Sequence, residues 1–174
     1  MIGMTDAGWE QRVVDVWASL DDVEETEAAE ADFRARVDAL AAELPAGAAE
    51  GLFERACAFD STGHSDHAVP LYQAGLAGGL TGVRKRRATI QLASSLRNLG
   101  RSDESVELLI AERDSGSDEL DDAVRAFLAL ALTDVGRARE AVAIAVEALA
   151  PHLPRYQRSS ANYARALAEE ARRP

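Results

Sequence analysis

The chain of 174 residues carries 47% hydrophobic side chains but only 5% aromatic ones, a balance that favours a single domain of close-packed helices rich in Ala, Leu and Val. It has no apolar run near the roughly 20 residues of a membrane-spanning helix and no signal region at its start, so we expect a cytoplasmic protein. The formal net charge of −11 falls almost entirely on residues 1–50, whose net charge is −10, and this acidity argues against nucleic-acid binding.

Two helices are predicted ahead of residue 48. Thr5 or Asp6 can cap the first helix, while Asp21 and Asp22 form a polar break that is a plausible N-cap for the second. Apolar residues recur along one face of each helix, namely Trp9, Val13, Val16 and Leu20 in the first, and Phe33, Val37, Leu40 and Leu44 in the second. We expect residues 1–47 to form an acidic helical pair that packs on the remainder of the chain.

One short pattern occurs three times after this pair. An apolar residue is followed four positions later by a glycine, then by a small residue, then by a small or larger apolar residue. The copies read Phe59/Gly63/Ala68/Tyr72, Leu96/Gly100/Ser105/Leu109 and Leu132/Gly136/Ala141/Ala145. The glycines lie 37 and 36 positions apart, a period typical of stacked helical repeats. Each copy therefore predicts a helix, a glycine turn and a second helix.

Three helix pairs are predicted over residues 48–152. In the first pair, helix A runs from about Ala49 to Ser61 and helix B starts at Ser65, but Pro70 inside helix B requires a later start or a local bend. A last helix is predicted at about residues 155–172, within a C-terminal cap spanning 153–174, because a stack without a lid would expose its final apolar face. The apolar side of this helix consists of Tyr156, Tyr163 and Leu167.

The residues around each glycine resemble tetratricopeptide repeats over roughly residues 49–151. The first copy follows the family's order of bulky, small, aromatic, glycine, small and aromatic positions with Leu52, Ala56, Phe59, Gly63, Ala68 and Tyr72. The stretch from Leu96 to Arg101 is similar to a bacterial branch of these repeats. The resemblance implies an all-α fold of about nine helices, arranged as a right-handed superhelical array of antiparallel helix pairs.

Three positions depart from the family's pattern. Arg55 stands at a usual leucine position, Glu112 at a usual alanine position and Ala145 at a usual aromatic position. The period is also longer than the family's about 34 residues. The resemblance is therefore to a divergent subtype.

The resemblance also implies a concave surface, lined mainly by helix A of each pair, that binds a peptide or protein segment. The family's geometry places on it Phe53, Cys57, Asp60, Arg87, Ile90, Gln91, Ser94, Arg97, Asn98, Phe127, Leu130 and Asp134. The middle pair has the most ligand-like chemistry, because Arg and Asn side chains donate hydrogen bonds to a peptide backbone or carboxylate. We therefore expect a protein-binding scaffold or adaptor.

Two other functions stay open. A regulatory module could accept a small signalling peptide in the same groove, and a structural homodimer could form through Trp9, Trp17 and the N-terminal helices. The basic run at residues 84–87 spreads around the helix circumference. This spread favours pairing with the acidic N-terminal helices, of this or of a second copy, over nucleic-acid binding.

No metal, cofactor or catalytic site is predicted. His64 and His67, with Asp60 and Asp66 nearby, straddle a predicted turn, where polar capping residues are expected without a metal. The chain has no Gly-rich phosphate loop and no nucleophile with a recognisable base, which favours a protein that is not an enzyme. The lone Cys57 is expected to be a small buried hydrophobe.

Overall fold

Helices make up all the regular structure that the computed structural model describes, which covers residues 6–171. The α-helices are α1 (Ala7–Ala18), α2 (Glu27–Ala41), α3 (Ala49–Ser61), α4 (Ser65–Ala77), α5 (Gly82–Asn98), α6 (Ser102–Ser115), α7 (Asp121–Asp134), α8 (Ala138–Leu149) and α9 (Gln157–Ala171). Single turns of 3-10 helix lie at Leu20–Asp22 and Ala150–His152. Over these residues the predicted all-helical fold of about nine helices is confirmed. None of the nine α-helices combines the length and hydrophobicity that a bilayer crossing requires.

The chain forms two compact units, residues 1–91 and 92–174, and the boundary between them falls within α5. Unit 1 contains α1 to α4 and the first part of α5. Unit 2 contains the rest of α5 and α6 to α9. The predicted divisions after residues 47 and 152 concern the limits of the repeats and stay predictions.

The three repeat glycines end their helices with the same pair of backbone hydrogen bonds. Gly63, Gly100 and Gly136 have φ angles of 79°, 74° and 79°, in the left-handed region that side chains disfavour. The residue after each glycine donates its N–H to the carbonyl of Phe59, Leu96 or Leu132, over 2.9, 2.9 and 2.8 Å respectively. Each glycine N–H donates to the carbonyl three residues earlier. This Schellman arrangement explains the four-residue spacing between the apolar residue and the glycine.

α1 is fixed at its start by a cap and along its length by a tryptophan. Asp6 accepts the backbone N–H of Trp9 over 2.6 Å, as predicted, whereas Thr5 lies outside the described residues. The indole N–H of Trp9 donates to the carbonyl of Leu40 over 2.8 Å, inside a buried cluster that also contains Val13. These contacts tie α1 to the end of α2.

α2 begins later than the sequence predicts. The prediction of an N-cap at Asp21 and Asp22 is wrong, because both residues lie in the first 3-10 turn. Thr26 is the cap, and its hydroxyl accepts the backbone N–H of Ala29 over 3.3 Å. α2 then packs on α3 through the buried residues Phe33, Val37 and Ala58.

α4 contains Pro70 without interruption. The helix runs from Ser65 to Ala77, so the first of the two expected alternatives, a later start, does not occur. Proline leaves the carbonyl of Asp66, four residues earlier, without its helical partner. Pro70 and Asp66 are both exposed, so water can hydrogen-bond that carbonyl at little cost.

Unit 2 packs each helix against the next, α6 on α7, α7 on α8 and α8 on α9. Leu109, Val124, Leu128 and Leu132 are the largest of its fully buried side chains among the described residues. α8 and α9 contribute alanines, which are Ala141, Ala143, Ala148 and Ala164. Such small side chains let the last two helices approach closely.

The apolar side predicted for the last helix needs a correction. Tyr156 and Tyr163 are both 76% exposed, while Ala164 is buried and Leu167 is half-buried. Tyr156 directly precedes α9, and its φ of 68° is not helical, so it is not part of that helix. The buried stripe of α9 is therefore centred on Ala164, and the two tyrosines face solvent.

Candidate partner-binding surface

Three of the side chains predicted to face a partner are buried in unit 1. Phe53, Cys57 and Ile90 are 0%, 1% and 5% exposed. A partner cannot reach side chains without exposed surface, so these three belong to the core and not to a binding surface. Burial raises the pKa of the Cys57 thiol to about 12, which keeps it protonated.

The polar residues of the same face in unit 1 make internal contacts. The thiol of Cys57 donates to Oε1 of Gln91 over 3.3 Å, and the hydroxyl of Tyr72 donates to Oδ2 of Asp60 over 3.4 Å. Gln91 and Asp60 are half-buried. Arg87 is exposed, and its guanidinium carbon lies 5.2 Å from the centre of the Phe53 ring. Most of this face is therefore closed by its own side chains.

A buried carboxylate beside this face was missed by the sequence analysis. Glu54 on α3 is 3% exposed and accepts the indole N–H of Trp17 over 2.8 Å. Nε of Arg84 on α5 lies 3.4 Å from the same carboxylate. The two terminal nitrogens of Arg84 donate to both carboxylate oxygens of Glu10, over 2.9 and 2.6 Å. Burial raises the pKa of Glu54, against the lowering effect of these donors. The group joins α1, α3 and α5 inside unit 1.

The sequence holds one weak signal for this group. Glu54 directly follows Phe53 in the apolar part of helix A, where a charged side chain needs a partner. The basic run supplies that partner in Arg84, which also pairs with the acidic N-terminal helix of its own chain. Pairing between the run and the N-terminal helices thus occurs within one molecule.

Both N-terminal tryptophans are engaged within their own chain. Trp9 is 2% exposed. Trp17 is half-buried, packs edge-on against Phe33 with 5.3 Å between ring centres, and donates to Glu54. Their placement gives no support to a homodimer built through these indoles, because both indole N–H groups already donate within unit 1.

Unit 2 gathers the other six predicted residues on one face. We define the helix A face of unit 2 by its members on α5 and α7, which are Ser94, Arg97, Asn98, Phe127, Leu130 and Asp134. Nε of Arg97 lies 2.5 Å from Oδ2 of Asp134, so an ion pair joins the two helices. Leu130 is 46% exposed and Phe127 is half-buried. An apolar patch therefore lies beside a partly exposed ion pair.

The charges on the helix A face of unit 2 largely cancel. Arg97 and Asp134 have about a third of their side-chain surface exposed, and each is the partner of the other. The hydroxyl of Ser102 also lies 3.5 Å from Oδ2 of Asp134. Arg97 already has Asp134 as its ion-pair partner. A partner would therefore bind this face mainly through apolar contacts and hydrogen bonds.

A model of the tetratrico peptide repeat family matches residues 48–167, which is more than half of the chain. The chain belongs to the tetratricopeptide repeat family. Searches of curated proteins and of solved structures gave no match. Tetratricopeptide repeats generally form scaffolds for protein–protein interaction, and catalysis is not their usual role.

One departure from the tetratricopeptide pattern has a structural use in this chain. Arg55 occupies a position where these repeats usually carry leucine, and its Nε lies 2.6 Å from Oδ1 of Asp38 on α2. A leucine there could not pair with the carboxylate of Asp38. The departure therefore matches the presence of the N-terminal helices beside the first tetratricopeptide repeat.

Proposed function

We propose that this tetratricopeptide repeat protein is a scaffold or adaptor that binds a peptide or protein segment through the helix A face of unit 2. The observation that carries the proposal is that Leu130 is 46% exposed on this face, whereas the apolar side chains on the corresponding face of unit 1 are buried. Phe127 lies three residues earlier on α7, so the two side chains share one side of the helix. Apolar patches with polar surroundings are typical of interaction sites.

The ion pair beside the patch favours a partner segment of low net charge. A strongly acidic segment would meet Asp134, and a strongly basic one would meet Arg97, and these two charges are already paired over 2.5 Å. A segment with one large apolar side chain fits better, because that side chain can cover Leu130 while its backbone amides reach the polar groups nearby. Central apolar anchors often carry most of the binding energy of an interface.

The first test replaces Leu130 with glutamate and compares it with a matched change on helix B. Val142 on α8 is 52% exposed, so Val142→Glu also puts a charge in place of an exposed aliphatic side chain. Tagged wild-type and variant chains capture partners from cells of the source organism, and the bound proteins are quantified by mass spectrometry. We expect Leu130→Glu to deplete a set of partners at least about tenfold, since losing an anchor costs about 2 kcal/mol or more. Val142→Glu should retain that set.

Equal recovery of all partners by Leu130→Glu and wild type would show that the proposed face is wrong. A charge swap then asks what the ion pair contributes. The double variant Arg97→Asp with Asp134→Arg keeps an attractive pair while exchanging its ends, and we expect it to retain capture. If capture were lost while thermal stability stayed normal, the partner would contact the side chain of Arg97 or Asp134 directly.

The cytoplasmic location and the non-enzymatic role stay predictions, as does the peptide-sensing alternative. The location concerns the cell, and the other two concern a substrate or a peptide ligand. Microscopy of the tagged chain in its source cell would test the location.

A further inference from the structure

The N-terminal helices bring three possible metal ligands together with the first repeat turn of unit 1. Glu27 and Glu30 lie three residues apart in the first turn of α2, which places both carboxylates on one side of that helix. His64 lies in the turn between α3 and α4. One imidazole nitrogen and two carboxylate oxygens, one from each residue, lie within 4.8 Å of one another.

The ring of His64 is held in place without using its Nε2 atom. Its backbone N–H forms the Schellman bond to Phe59, and its ring packs edge-on against the Phe59 ring with 6.2 Å between centres. Nε2 is screened from solvent and has no hydrogen-bond partner within residues 6–171. Oε2 of Glu27 lies 3.7 Å from it, beyond hydrogen-bonding distance. This spacing between a screened nitrogen and a carboxylate oxygen leaves room for a cation that both could bind.

The carboxylate of Glu27 is already oriented for such a role. Arg34 contacts its Oε1 over 2.5 Å and donates from its other terminal nitrogen to the hydroxyl of Thr62 over 2.9 Å. This leaves Oε2 of Glu27 on the side of His64. Carboxylates that bind metals are usually positioned by such an outer hydrogen bond.

We propose that Glu27, Glu30 and His64 bind a divalent transition-metal ion, best fitted by zinc, which fastens α2 to the turn between α3 and α4. Zinc accepts imidazole and carboxylate ligands at about 2.0–2.2 Å, whereas magnesium and calcium prefer oxygen ligands alone. The Glu27 side chain is 70% exposed. Small movements of the carboxylates can therefore close the distances, and water can complete the coordination.

The site differs from the one that the sequence brings to mind. The sequence places His64 beside His67, Asp60 and Asp66, which are its neighbours along the chain. The structure instead supplies carboxylates from α2, more than thirty residues earlier. A protonated His64 paired with the same carboxylates is the competing explanation, and it needs no metal.

Isothermal titration of the full, untagged chain with zinc chloride tests the proposal, at about pH 7.5, where an ordinary histidine is mostly neutral. We expect one ion per chain and a higher thermal midpoint in its presence, because an ion that binds only the folded state stabilises it. His64→Gln and Glu30→Gln should each weaken binding at least about tenfold. His152→Gln is the matched control, since this exposed histidine belongs to unit 2 and lies outside the cluster, and it should bind as wild type does.

Absence of saturable zinc binding by the wild-type chain would overturn the proposal and leave the protonated ion pair. Unchanged affinity in Glu30→Gln, or loss of binding in His152→Gln, would overturn it equally. Circular dichroism confirms that each variant is folded, and Glu30→Gln, which lies on α2 and not in the turn, decides the matter if His64→Gln disturbs the turn. Glu27 is left intact because it also pairs with Arg34. Calcium chloride should give no comparable binding.

Discussion

The first and third repeats treat the same positions in opposite ways. Cys57 and Leu130 both lie six residues before their repeat glycine, and Glu54 and Phe127 both lie nine before it. Unit 1 buries the thiol and the carboxylate, whereas unit 2 leaves the leucine 46% exposed and the phenylalanine half-buried. The first repeat thus buries a charged side chain, Glu54, at the position where the third repeat has the half-buried Phe127, against the usual preference of charged groups for the surface.

The neighbours of each repeat explain the difference. In unit 1, α1 supplies Trp17 and Glu10, which reach Glu54 and Arg84 and give the buried charges partners. Glu54 is thereby compensated and can stay inside. On the helix A face of unit 2 no comparable buried charge is described, and Leu130 stays accessible at 46% exposure. Helix position alone does not decide whether a repeat face is available to a partner.

The largest expected effect comes from the two phenylalanines of these faces. Phe53→Ala removes a fully buried ring and should lower the free energy of unfolding by about 3–5 kcal/mol. Phe127→Ala removes a half-buried ring and should cost about 1–2 kcal/mol. Urea unfolding followed by circular dichroism measures both. Equal losses would break the contrast between a closed and an open face.

Two arginines give an intermediate effect. Arg84→Ala withdraws a donor from the buried Glu54 and should cost about 1–3 kcal/mol. Arg97→Ala breaks a partly exposed ion pair and should cost about 0.2–1 kcal/mol. The same urea experiment applies, and a double-mutant cycle of Arg84 with Glu54 isolates their coupling. A coupling near zero would mean that Trp17 alone supports the carboxylate.

The smallest effect is a pH dependence carried by Glu54. Burial raises its pKa above the ordinary 4.5, so the folded chain holds this proton more tightly than the unfolded chain does. The resulting stabilisation is complete below pH 4.5 and is lost as the pH rises through the raised pKa. The free energy of unfolding of wild type, relative to Glu54→Gln, should therefore fall as the pH rises from about 4 to 7.

An exposed carboxyl group provides a control of opposite sign. Arg101 donates to Glu104 and lowers the pKa of that carboxyl. Its contribution is present above the ordinary 4.5 and is lost as the pH falls through the lowered pKa, so wild type relative to Glu104→Gln should gain stability with rising pH. Parallel pH curves for wild type and Glu54→Gln would show that Glu54 has an ordinary environment.

Local signals in the sequence predict the helix pairs well. α3 begins at Ala49 and ends at Ser61, as predicted, because the glycine turn that stops it is built from residues within one short segment. The same holds for the turns at Gly100 and Gly136. The predicted start of α2 was wrong because several acidic and hydroxyl residues could cap the helix, and only the folded backbone selects Thr26.

The candidate surface was predicted only in part because burial depends on distant residues. Glu54 and its donor Trp17 are 37 positions apart, and no pattern within one helix links them. The periodicity of helix A places Cys57 and Leu130 on equivalent sides, yet it does not say which of them a neighbouring helix will cover. His64 likewise meets α2 only in the folded chain.

The repeat turns have a consequence for how this chain can change over evolutionary time. The residue after each glycine contributes a backbone N–H to the turn, and His64, Arg101 and Arg137 do so equally well. Their side chains carry no share of that bond, so any residue except proline can make it. Each repeat thus contains one position where new chemistry can be acquired while the backbone hydrogen bond of the turn is kept.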